Sequence, residues 1–325
     1  MLSRTDRIGD LILSTPAIAT VRASFPDARI VMVCSEYNSV VMERSTDIDE
    51  LVVLPKAQPP AEFGAQFRGR CDLAIALAPR KQDFSLVGAT RAPRRIGYTY
   101  VRRYVARLTA WRYLTSLMLS EADPDLCERD PRRIVRHEVD QLIDFVTLAD
   151  ATTRVRDLRV HVNDDDRAAI GYLPSDPIVL HLGLRWFTDG STLKSTIDLI
   201  ASLGRLGLPV VVTYAPEVET YVEAIAHARV ADLLVGGLPF YQWAAVFERA
   251  KVVVTVDTGA THVASAMRRP TVVAFEHRYF RLNSQEWAPY GVPSALIRKP
   301  ADIAETSLAR FRDDITTAVA RLIHA

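Results

Sequence analysis

Short runs of apolar residues alternate with longer amphipathic segments over most of the chain. The runs lack strict polar alternation, which is typical of strands buried on both faces of a parallel sheet. In the first half they predict strands at Arg29–Cys34, Glu50–Leu54 and Asp72–Leu77. Since helical segments lie between these strands, the pattern predicts an α/β fold built from βαβ units.

The pattern changes in residues 101–150, where no convincing strand is present. The apolar spacing there predicts helices that break at Pro124 and Pro131. The alternation then resumes, with predicted strands at Pro177–Leu182, Pro209–Tyr214, Lys251–Val256 and Thr271–Phe275. The helices predicted beside them are Thr192–Leu206, Glu217–Ala228 and Phe240–Ala250.

The chain has 325 residues, which is long enough for two domains. Polar and proline-containing segments interrupt the pattern at 163–176, so we predict domains over residues 1–165 and 166–325. Two Rossmann-like domains with a ligand in the cleft between them are the simplest interpretation. From about Ala301 the spacing predicts a last helix, which we expect to pack back on the first domain.

Composition and charge narrow the range of partners. The net charge of +1 and the hydrophobic content of 49% describe an ordinary globular chain and argue against nucleic acid. The three scattered cysteines predict neither a disulfide framework nor a zinc site. Without an apolar leader or a run of about 18 apolar residues, we expect a cytoplasmic chain that can still touch a membrane surface.

Arginines are concentrated in one part of the chain. Such a run either binds phosphates and carboxylates or forms a solvated helix face. Its members are Arg91, Arg94, Arg95, Arg102, Arg103, Arg107 and Arg112, followed by Arg129, Arg132, Arg133 and Arg136.

The common nucleotide-binding and hydrolase motifs are missing. The sequence has no G-x-G-x-x-G after a strand, no P-loop and no G-x-S-x-G. This disfavours an NAD dehydrogenase, a P-loop ATPase and a serine hydrolase. The candidate chemistry lies instead at two strand-to-helix junctions, where open α/β sheets bind their ligands.

The first junction is Arg7-Ile8-Gly9-Asp10. Gly9 permits a tight turn, and Asp10 is expected at the cleft edge beside a helix start, where it is either a functional carboxylate or only a helix cap. Pro16 leaves two possibilities for this helix. It begins near Asp10 and tolerates the proline, or it begins at Pro16 with Thr15 as its cap.

The second junction is Asp257-Thr258-Gly259, which follows a strand and leads into a helix with His262 in its first turn. The free N–H groups of such a helix start bind phosphate, and Thr258 and His262 can reach the same anion. The alternative is a capped helix with an incidental histidine. His181 ends another predicted strand, where it either lines this pocket or is a satisfied core histidine.

These motifs, together with several others, resemble those of the lipopolysaccharide heptosyltransferases, glycosyltransferase family 9. The resemblance covers most of the chain in the expected order. In the first half it rests on D-R-I-G-D-L-I-L-S-T-P-A-I (6–18), F-P-D-A-R-I (25–30), A-P-R-R-I-G-Y (92–98) and R-H-E-V-D (136–140). In the second half it rests on V-D-T-G-A-T-H-V-A-S-A (256–266), Pro270 and W-A-P-Y-G (287–291).

The resemblance implies a GT-B fold and an inverting transfer of heptose from ADP-heptose to an acceptor sugar, without a metal or a cofactor. It implies an anionic acceptor in the lipopolysaccharide inner core, bound by the first domain, and a peripheral contact with the inner face of the cytoplasmic membrane. The matching residues are Asp10 as general base, Asp257, Thr258, Gly259 and His262 as donor contacts, and Arg94 and Arg95 as acceptor contacts.

Three segments depart from the family pattern. Only Met1–Thr5 is available for the first strand, so this strand is short or irregular, or the start was chosen late. The family's phosphate-binding lysine is replaced near Asp189, and Arg185 or Lys194 is expected to supply the positive charge. Phe275–Arg278 replaces a Phe-Gly-Pro-Thr segment. These changes leave the donor open.

Other interpretations remain at this point. The same family chemistry could serve a natural-product or other cell-surface acceptor with the same or another nucleotide sugar. The missing lysine would suit a non-catalytic nucleotide-sugar binding protein, and an epimerase would need more acid/base groups than His262 at the second junction. The D-x-D sequence at 47–49 lacks the context of a metal site, and Asp164–Asp166 predicts a helix start.

Overall fold

The computed structural model describes residues 1–324. The chain divides into two compact units, Met1–Arg159 and Val160–Ala325, so the division falls six residues before the predicted boundary. Each unit contains a six-stranded sheet in which all strands are parallel. Within the described part of the chain, no helix is long and apolar enough to cross a membrane.

The first unit has the strand order β3-β2-β1-β4-β5-β6. Its strands are β1 (Leu2–Ser3), β2 (Val31–Ser35), β3 (Glu50–Leu54), β4 (Leu73–Ala76), β5 (Arg94–Tyr100) and β6 (Ser116–Ser120). Its helices are α1 (Ile8–Ser24), α2 (Pro60–Ala65), α3 (Lys81–Ala89), α4 (Tyr104–Ala110), α5 (Pro124–Arg129) and α6 (Glu138–Phe145). The strand order reverses between β1 and β4, which makes this the switch point where ligands bind in doubly wound sheets.

The second unit repeats this topology, with the strand order β12-β11-β10-β7-β8-β9. Its strands are β7 (Ile178–Leu182), β8 (Val210–Tyr214), β9 (Leu233–Val235), β10 (Val252–Val256), β11 (Thr271–Phe275) and β12 (Ser294–Arg298). Its helices are α7 (Asp164–Ala169), α8 (Leu193–Gly204), α9 (Glu219–Ala228), α10 (Phe240–Arg249), α11 (Gly259–Ala266), α12 (Phe280–Glu286) and α13 (Glu305–Ile323). The switch point of this sheet lies between β7 and β10.

The central strand β1 is only two residues long, which is one of the alternatives that the sequence leaves open. Side chains and the terminus supply the anchoring that a longer strand would give. The ammonium group of Met1 donates to the carbonyl of Leu73 (2.8 Å). The buried carboxylate of Asp83 accepts from the Ser3 hydroxyl (2.8 Å) and from the Thr5 N–H (3.1 Å). The chain that leads into α1 is therefore held from both sides.

Helix α1 contains Pro16 in its interior, so the first of the two possibilities for this helix is the observed one. A proline there cannot donate to the carbonyl of Ile12, four residues earlier. The hydroxyl of Thr15 donates to this carbonyl instead (2.7 Å) and accepts from the N–H of Arg159 (2.9 Å). The preceding threonine thus restores the hydrogen bond that the proline removes.

Four strands were not predicted, namely β5, β6, β9 and β12. β5 begins with two arginines and contains Gly97, and β9 has only three residues. β6, β9 and β12 lie at sheet edges, where strands need fewer apolar residues because one side is open to solvent. The expectation that residues 101–150 are all helical is therefore wrong at β6.

The last helix, α13, belongs to the core of the second unit. Its apolar face, with Phe311, Ile315, Val319 and Leu322, is buried in that core, and it packs on α8 and β12. One face of the second sheet needs a long apolar helix to cover it, and α13 supplies this cover. The expected packing on the first domain stays a prediction.

We expect Asp83→Ala to loosen the segment between β1 and α1. The change leaves the buried Ser3 donor and the partly buried Thr5 donors without their acceptor, at a cost of up to about 1–3 kcal/mol per group. Native-state hydrogen exchange should show a loss of protection at the Thr5 amide. The exposed Asp27→Ala variant is the control and should leave this amide unchanged. Unaltered protection in Asp83→Ala would show that the carboxylate does not anchor the segment.

Candidate active site

Asp10 lies in the first turn of α1, directly after the switch point of the first sheet. Helix α1 follows β1 and α3 follows β4, so both begin at the carboxyl edge of the sheet. Open α/β sheets bind ligands at this place. The side chain of Asp10 is 27% exposed, so its carboxylate is mostly desolvated but remains accessible.

The guanidinium of Arg4 is buried beneath the start of α1. Its Nη1 donates to the Ser14 hydroxyl (2.8 Å) and to the Leu77 carbonyl (2.8 Å), and its Nε donates to Asp6 Oδ1 (3.0 Å). The Ser14 hydroxyl donates in turn to the backbone carbonyl of Asp10 (2.9 Å). Arg4 therefore connects the end of β1, the first turns of α1 and the end of β4.

Three carboxylates surround this single cation. Besides Asp6, Arg4 Nη2 lies 3.7 Å from Asp10 Oδ1, and Nη1 lies 3.6 Å from Glu138 Oε1. The Tyr98 hydroxyl donates to the same oxygen of Glu138 (2.5 Å). The positive charge is shared, so none of the three carboxylates is fully neutralised by it.

This environment makes Asp10 more basic than an ordinary aspartate. Burial raises the pKa of Asp10 to about 6, and the charges of Asp6 and Glu138 act in the same direction, whereas Arg4 and Arg7 oppose it. Burial also raises the pKa of Glu138. At neutral pH Asp10 is ionised and can accept a proton, and its pKa is closer to neutrality than usual. This combination suits a general base.

Arg94 and Arg95, the expected acceptor contacts, lie at the other edge of the first sheet. Arg94 donates to Asp150 Oδ2 (2.7 Å) and Arg95 Nε donates to the Tyr113 carbonyl (2.7 Å). They begin β5, whereas Tyr100 ends it, about 20 Å away at ~3.3 Å per residue. Because parallel strands put their amino ends far from the switch-point edge, the structure does not bring Arg94 and Arg95 together with Asp10.

The arginines that follow β5 lie instead at the edge where Asp10 is found. Arg102 pairs with Asp123 (3.2 Å), and Arg103 lies over the ring of Tyr100 (4.5 Å to the centroid). Both side chains are exposed. Arg102 and Arg103 are therefore the cations available to an anionic ligand at this edge, whereas the motif match points to Arg94 and Arg95.

In the second unit, the turn between β10 and α11 lies at the switch point. The Thr258 hydroxyl donates to the Val256 carbonyl (3.3 Å) and does not cap the helix that begins at Gly259. A Cβ atom at Gly183, after β7, would lie 3.2 Å from Thr258 Cγ2, so the two turns are in close contact. The N–H groups at a helix start of this kind favour an anion.

Arg185 lies beside this turn, in the short 3-10 helix Leu184–Phe187. Its Nη1 donates to the carbonyl oxygen (2.8 Å) and to Oδ2 (2.6 Å) of Asp257. Its Nε lies 3.3 Å from Glu276 Oε1. Its side chain is half-buried, so one cation is held next to the helix start while part of it remains open to a ligand.

The turn that carries Arg185 is held by a buried lysine, Lys299. Its Nζ donates to the carbonyls of Arg185 and Thr188. Burial lowers the pKa of Lys299 to about 8, while Glu276 and Asp189 oppose this effect. The ammonium therefore remains mostly charged at neutral pH.

Lys194 does not join this group. It is exposed and pairs with Asp198 (2.8 Å), one turn further along α8. Of the two cations that the sequence leaves as candidates, Arg185 is the one beside Asp257.

The two histidines differ in their surroundings. The ring of His181 is buried, with its Nδ1 sharing a hydrogen bond with the Thr213 hydroxyl (2.9 Å) and the Trp243 ring 5.2 Å away. Burial lowers the pKa of His181 to about 4, so it is neutral and is a core histidine. His262 is also buried, and it lies in the first turn of α11, as the sequence predicts.

Several residues of the two sites were not singled out from the sequence, and the two acidic motifs of the sequence have structural roles. Arg4 and Lys299 give no local signal, whereas Tyr98 and Glu138 lie in the A-P-R-R-I-G-Y and R-H-E-V-D segments. In the D-x-D sequence at 47–49, both oxygens of the first aspartate accept from Arg159 Nη1 (2.5 and 2.7 Å). The acidic cluster that begins α7 forms a capping box with Asn163, which confirms the predicted helix start.

Comparisons with known proteins agree with this arrangement. The family model of glycosyltransferase family 9 (heptosyltransferase) matches residues 197–302. Lipopolysaccharide heptosyltransferase 3 of Escherichia coli is 23% identical over 292 residues, which is 84% of this chain and 83% of that protein.

Two solved structures share the fold over nearly the whole chain. A family 9 glycosyl transferase from Veillonella parvula has a TM-score of 0.79 and 19% identity, covering 99% of this chain and 96% of the other. The E. coli ADP-heptose LPS heptosyltransferase II has a TM-score of 0.76 and 15% identity, covering 99% and 98%.

The doubled parallel sheets and their matches over the full length define the GT-B fold. The family model and the E. coli relative give the enzyme class, which is glycosyltransferase. Both predictions from the sequence are thereby confirmed. Residues 197–302 match the model of glycosyltransferase family 9 (heptosyltransferase), and the E. coli relative is similar over most of the chain, so this is the family that the chain resembles.

We expect Glu138→Gln to lower the pKa of Asp10. The change removes one negative charge near Asp10 and frees Arg4 to interact with it more strongly, so a decrease of about one pKa unit is expected. The pKa can be measured by NMR titration of ¹³C-labelled carboxyl groups, with Asp10→Asn to assign the signal. Glu62→Gln, an exposed change in α2, is the matched control. An Asp10 signal that titrates as in the unmodified chain would refute this coupling.

Proposed function

We propose that this glycosyltransferase transfers heptose from ADP-heptose, with inversion, to a sugar of the lipopolysaccharide inner core. The observation that carries the proposal is the partly desolvated carboxylate of Asp10 at the first switch point. The named activities of the E. coli relatives, a lipopolysaccharide heptosyltransferase and an ADP-heptose LPS heptosyltransferase, support this donor and acceptor.

In the proposed reaction the first unit supplies the base. Asp10 takes the proton from an acceptor hydroxyl while the oxygen forms a bond to the anomeric carbon of the heptose. The bond from that carbon to the diphosphate breaks on the opposite face, and ADP leaves with the electron pair. The buried Arg4 supports this role because it holds the first turn of α1 through Ser14, so the carboxylate has a defined position.

The second unit supplies the site for the diphosphate. The N–H groups at the start of α11 and the guanidinium of Arg185 provide positive charge where the leaving group becomes more negative. Thr258 and Gly259 form the turn, while Asp257 orients Arg185 and His262 lies within the same helical turn. In this proposal these groups do the work of a metal ion, and neither metal nor cofactor takes part.

The proposal extends to partners and location. The acceptor is an anionic sugar or glycolipid, and the exposed Arg102 and Arg103 at the Asp10 edge are suited to bind its phosphates or carboxylates. A lipid-linked acceptor of this kind is reached from the cytoplasmic side of the inner membrane. The enzyme is accordingly proposed to be cytoplasmic, with a peripheral membrane contact and no role in nucleic-acid binding.

We expect Asp10→Asn to reduce acceptor-dependent ADP release from ADP-heptose by about 10²–10⁴-fold, because the amide cannot accept the proton. In the unmodified enzyme, kcat/KM should fall about tenfold per pH unit below pH 6, since the base works only when it is ionised and its pKa is about 6. Asp27→Asn is the control. Retained turnover in Asp10→Asn would remove Asp10 from the reaction, and binding of ADP-heptose without turnover would point to another acceptor.

We expect Arg185→Ala to weaken ADP binding by about 10-fold to 100-fold, because a charge-assisted contact with the diphosphate contributes about 1.5–3 kcal/mol. Lys194→Ala is the matched control, since it removes a cation that is exposed and paired elsewhere in the same unit. Isothermal titration calorimetry measures both. The reverse order of effects would make Lys194 the cation that replaces the family lysine.

A further inference from the structure

Helix α4 and the residue after it carry apolar side chains on their outer face. Tyr104, Val105, Leu108 and Trp111 are 66%, 76%, 74% and 58% exposed, whereas Ala110 is fully buried. The inner side of the helix packs on α3 and β5. A surface helix normally places its apolar residues on the inner side, so this outer face has the pattern of a surface that binds something. We call Tyr104, Val105, Leu108 and Trp111 the apolar face.

The segment of chain that carries the apolar face has charge of one sign. From Phe84 to Ser120 the sequence contains seven arginines and no aspartate or glutamate. Arg103 and Arg112 flank the face and are exposed, and Arg107 lies 5.9 Å from the ring centroid of Tyr104. An apolar centre that includes tyrosine and tryptophan, with arginines around it, matches the headgroup region of an anionic bilayer.

The position of the face in the first unit agrees with such a contact. Helix α4 follows the carboxyl end of β5, and Asp10 lies at the same edge, after β1. A surface that rests on a bilayer here would keep the proposed base close to lipid-linked acceptors.

We propose that the apolar face and its flanking Arg103, Arg107 and Arg112 dock on the surface of a bilayer containing anionic phospholipid. This inference rests on the proposed function, because a lipid-linked acceptor gives the enzyme its reason to approach a membrane. The aromatic and aliphatic side chains enter the headgroup region, and the guanidinium groups bind lipid phosphates. Docking is weakened by salt, since the arginines contribute through attraction to surface charge.

Co-sedimentation of the full chain with vesicles tests the proposal. Vesicles of equal parts phosphatidylglycerol and phosphatidylcholine should bind it, and vesicles of pure phosphatidylcholine should bind it far less. Arg103→Gln with Arg112→Gln should weaken binding about 30-fold at low salt, and Leu108→Ser with Trp111→Ser about tenfold or more. Brominated lipid should quench tryptophan fluorescence, and Trp111→Phe should abolish that quenching.

Matched controls lie on exposed positions of the second unit. Arg310→Gln with Arg321→Gln removes the same charge, and Tyr172→Ser with Ile303→Ser removes similar apolar groups; both pairs should bind vesicles as the unmodified chain does. Equal losses in the controls, equal binding to neutral vesicles, or no vesicle binding would overturn the proposal.

Sedimentation velocity tests whether a second copy of the chain, instead of a bilayer, covers the apolar face. A dimer that dissociates in the Leu108→Ser, Trp111→Ser variant would overturn the proposal in favour of contact between copies of the chain. The vesicles contain neither acceptor nor nucleotide sugar, so binding is measured independently of the reaction. Transfer of the sugar to a lipid-free acceptor fragment should be the same in the Leu108→Ser, Trp111→Ser variant and in the unmodified chain. If neither protein transferred the sugar, the result would count against the proposed function alone.

Discussion

One buried cation, the guanidinium of Arg4, determines the arrangement of the candidate active site in the first unit. Removing such a group from water costs several kcal/mol unless protein oxygens replace its hydration. Those oxygens come from the Ser14 hydroxyl in α1, the Leu77 carbonyl after β4 and the Asp6 carboxylate between β1 and α1. The guanidinium has all of these acceptors only when the three elements meet. The start of α1 is therefore held in one position, and so is Asp10.

One guanidinium cannot neutralise all three carboxylates around it. This lowers the stability of the folded state, and it also makes Asp10 more basic. The rise of the pKa of Asp10 from 3.8 to about 6 corresponds to about 3 kcal/mol against ionisation. Because the folded state holds this proton more tightly than the unfolded chain, the contribution of Asp10 to folding stability falls as the pH rises from about 4 to about 6. The first unit thus gives up stability at neutral pH and retains a carboxylate basic enough to take a proton, as functional sites commonly do.

The fold and the two junctions could be predicted from the sequence, but the partners at the junctions could not. Buried strands such as β8 and β10 begin with three consecutive valines, and the end of β10 fixes the place of Asp257 once the fold class is known. Asp10 follows the short strand β1, and its place was predicted from the junction motif. β5 was missed because it begins with two arginines that are not buried, and the motif match that suggested a role for Arg94 gave no information on the edge of the sheet at which Arg94 lies. Glu138 and Lys299 reach their sites from distant segments, so their contacts depend on tertiary packing, which no local pattern records.

In the second unit, two cations with different tasks lie at the site, namely Lys299 and Arg185. Lys299 donates its hydrogen bonds to the carbonyls of the turn, so it acts on the site through the position of Arg185. Arg185 is shared between Asp257 and Glu276, and the contact with Glu276 is the longer one, at 3.3 Å against 2.6 Å. A diphosphate at the start of α11 carries more charge than Glu276 and gains from the helix N–H groups as well. It can therefore compete for Nε while Asp257 keeps Nη1, so Arg185 can serve an anion without leaving its place.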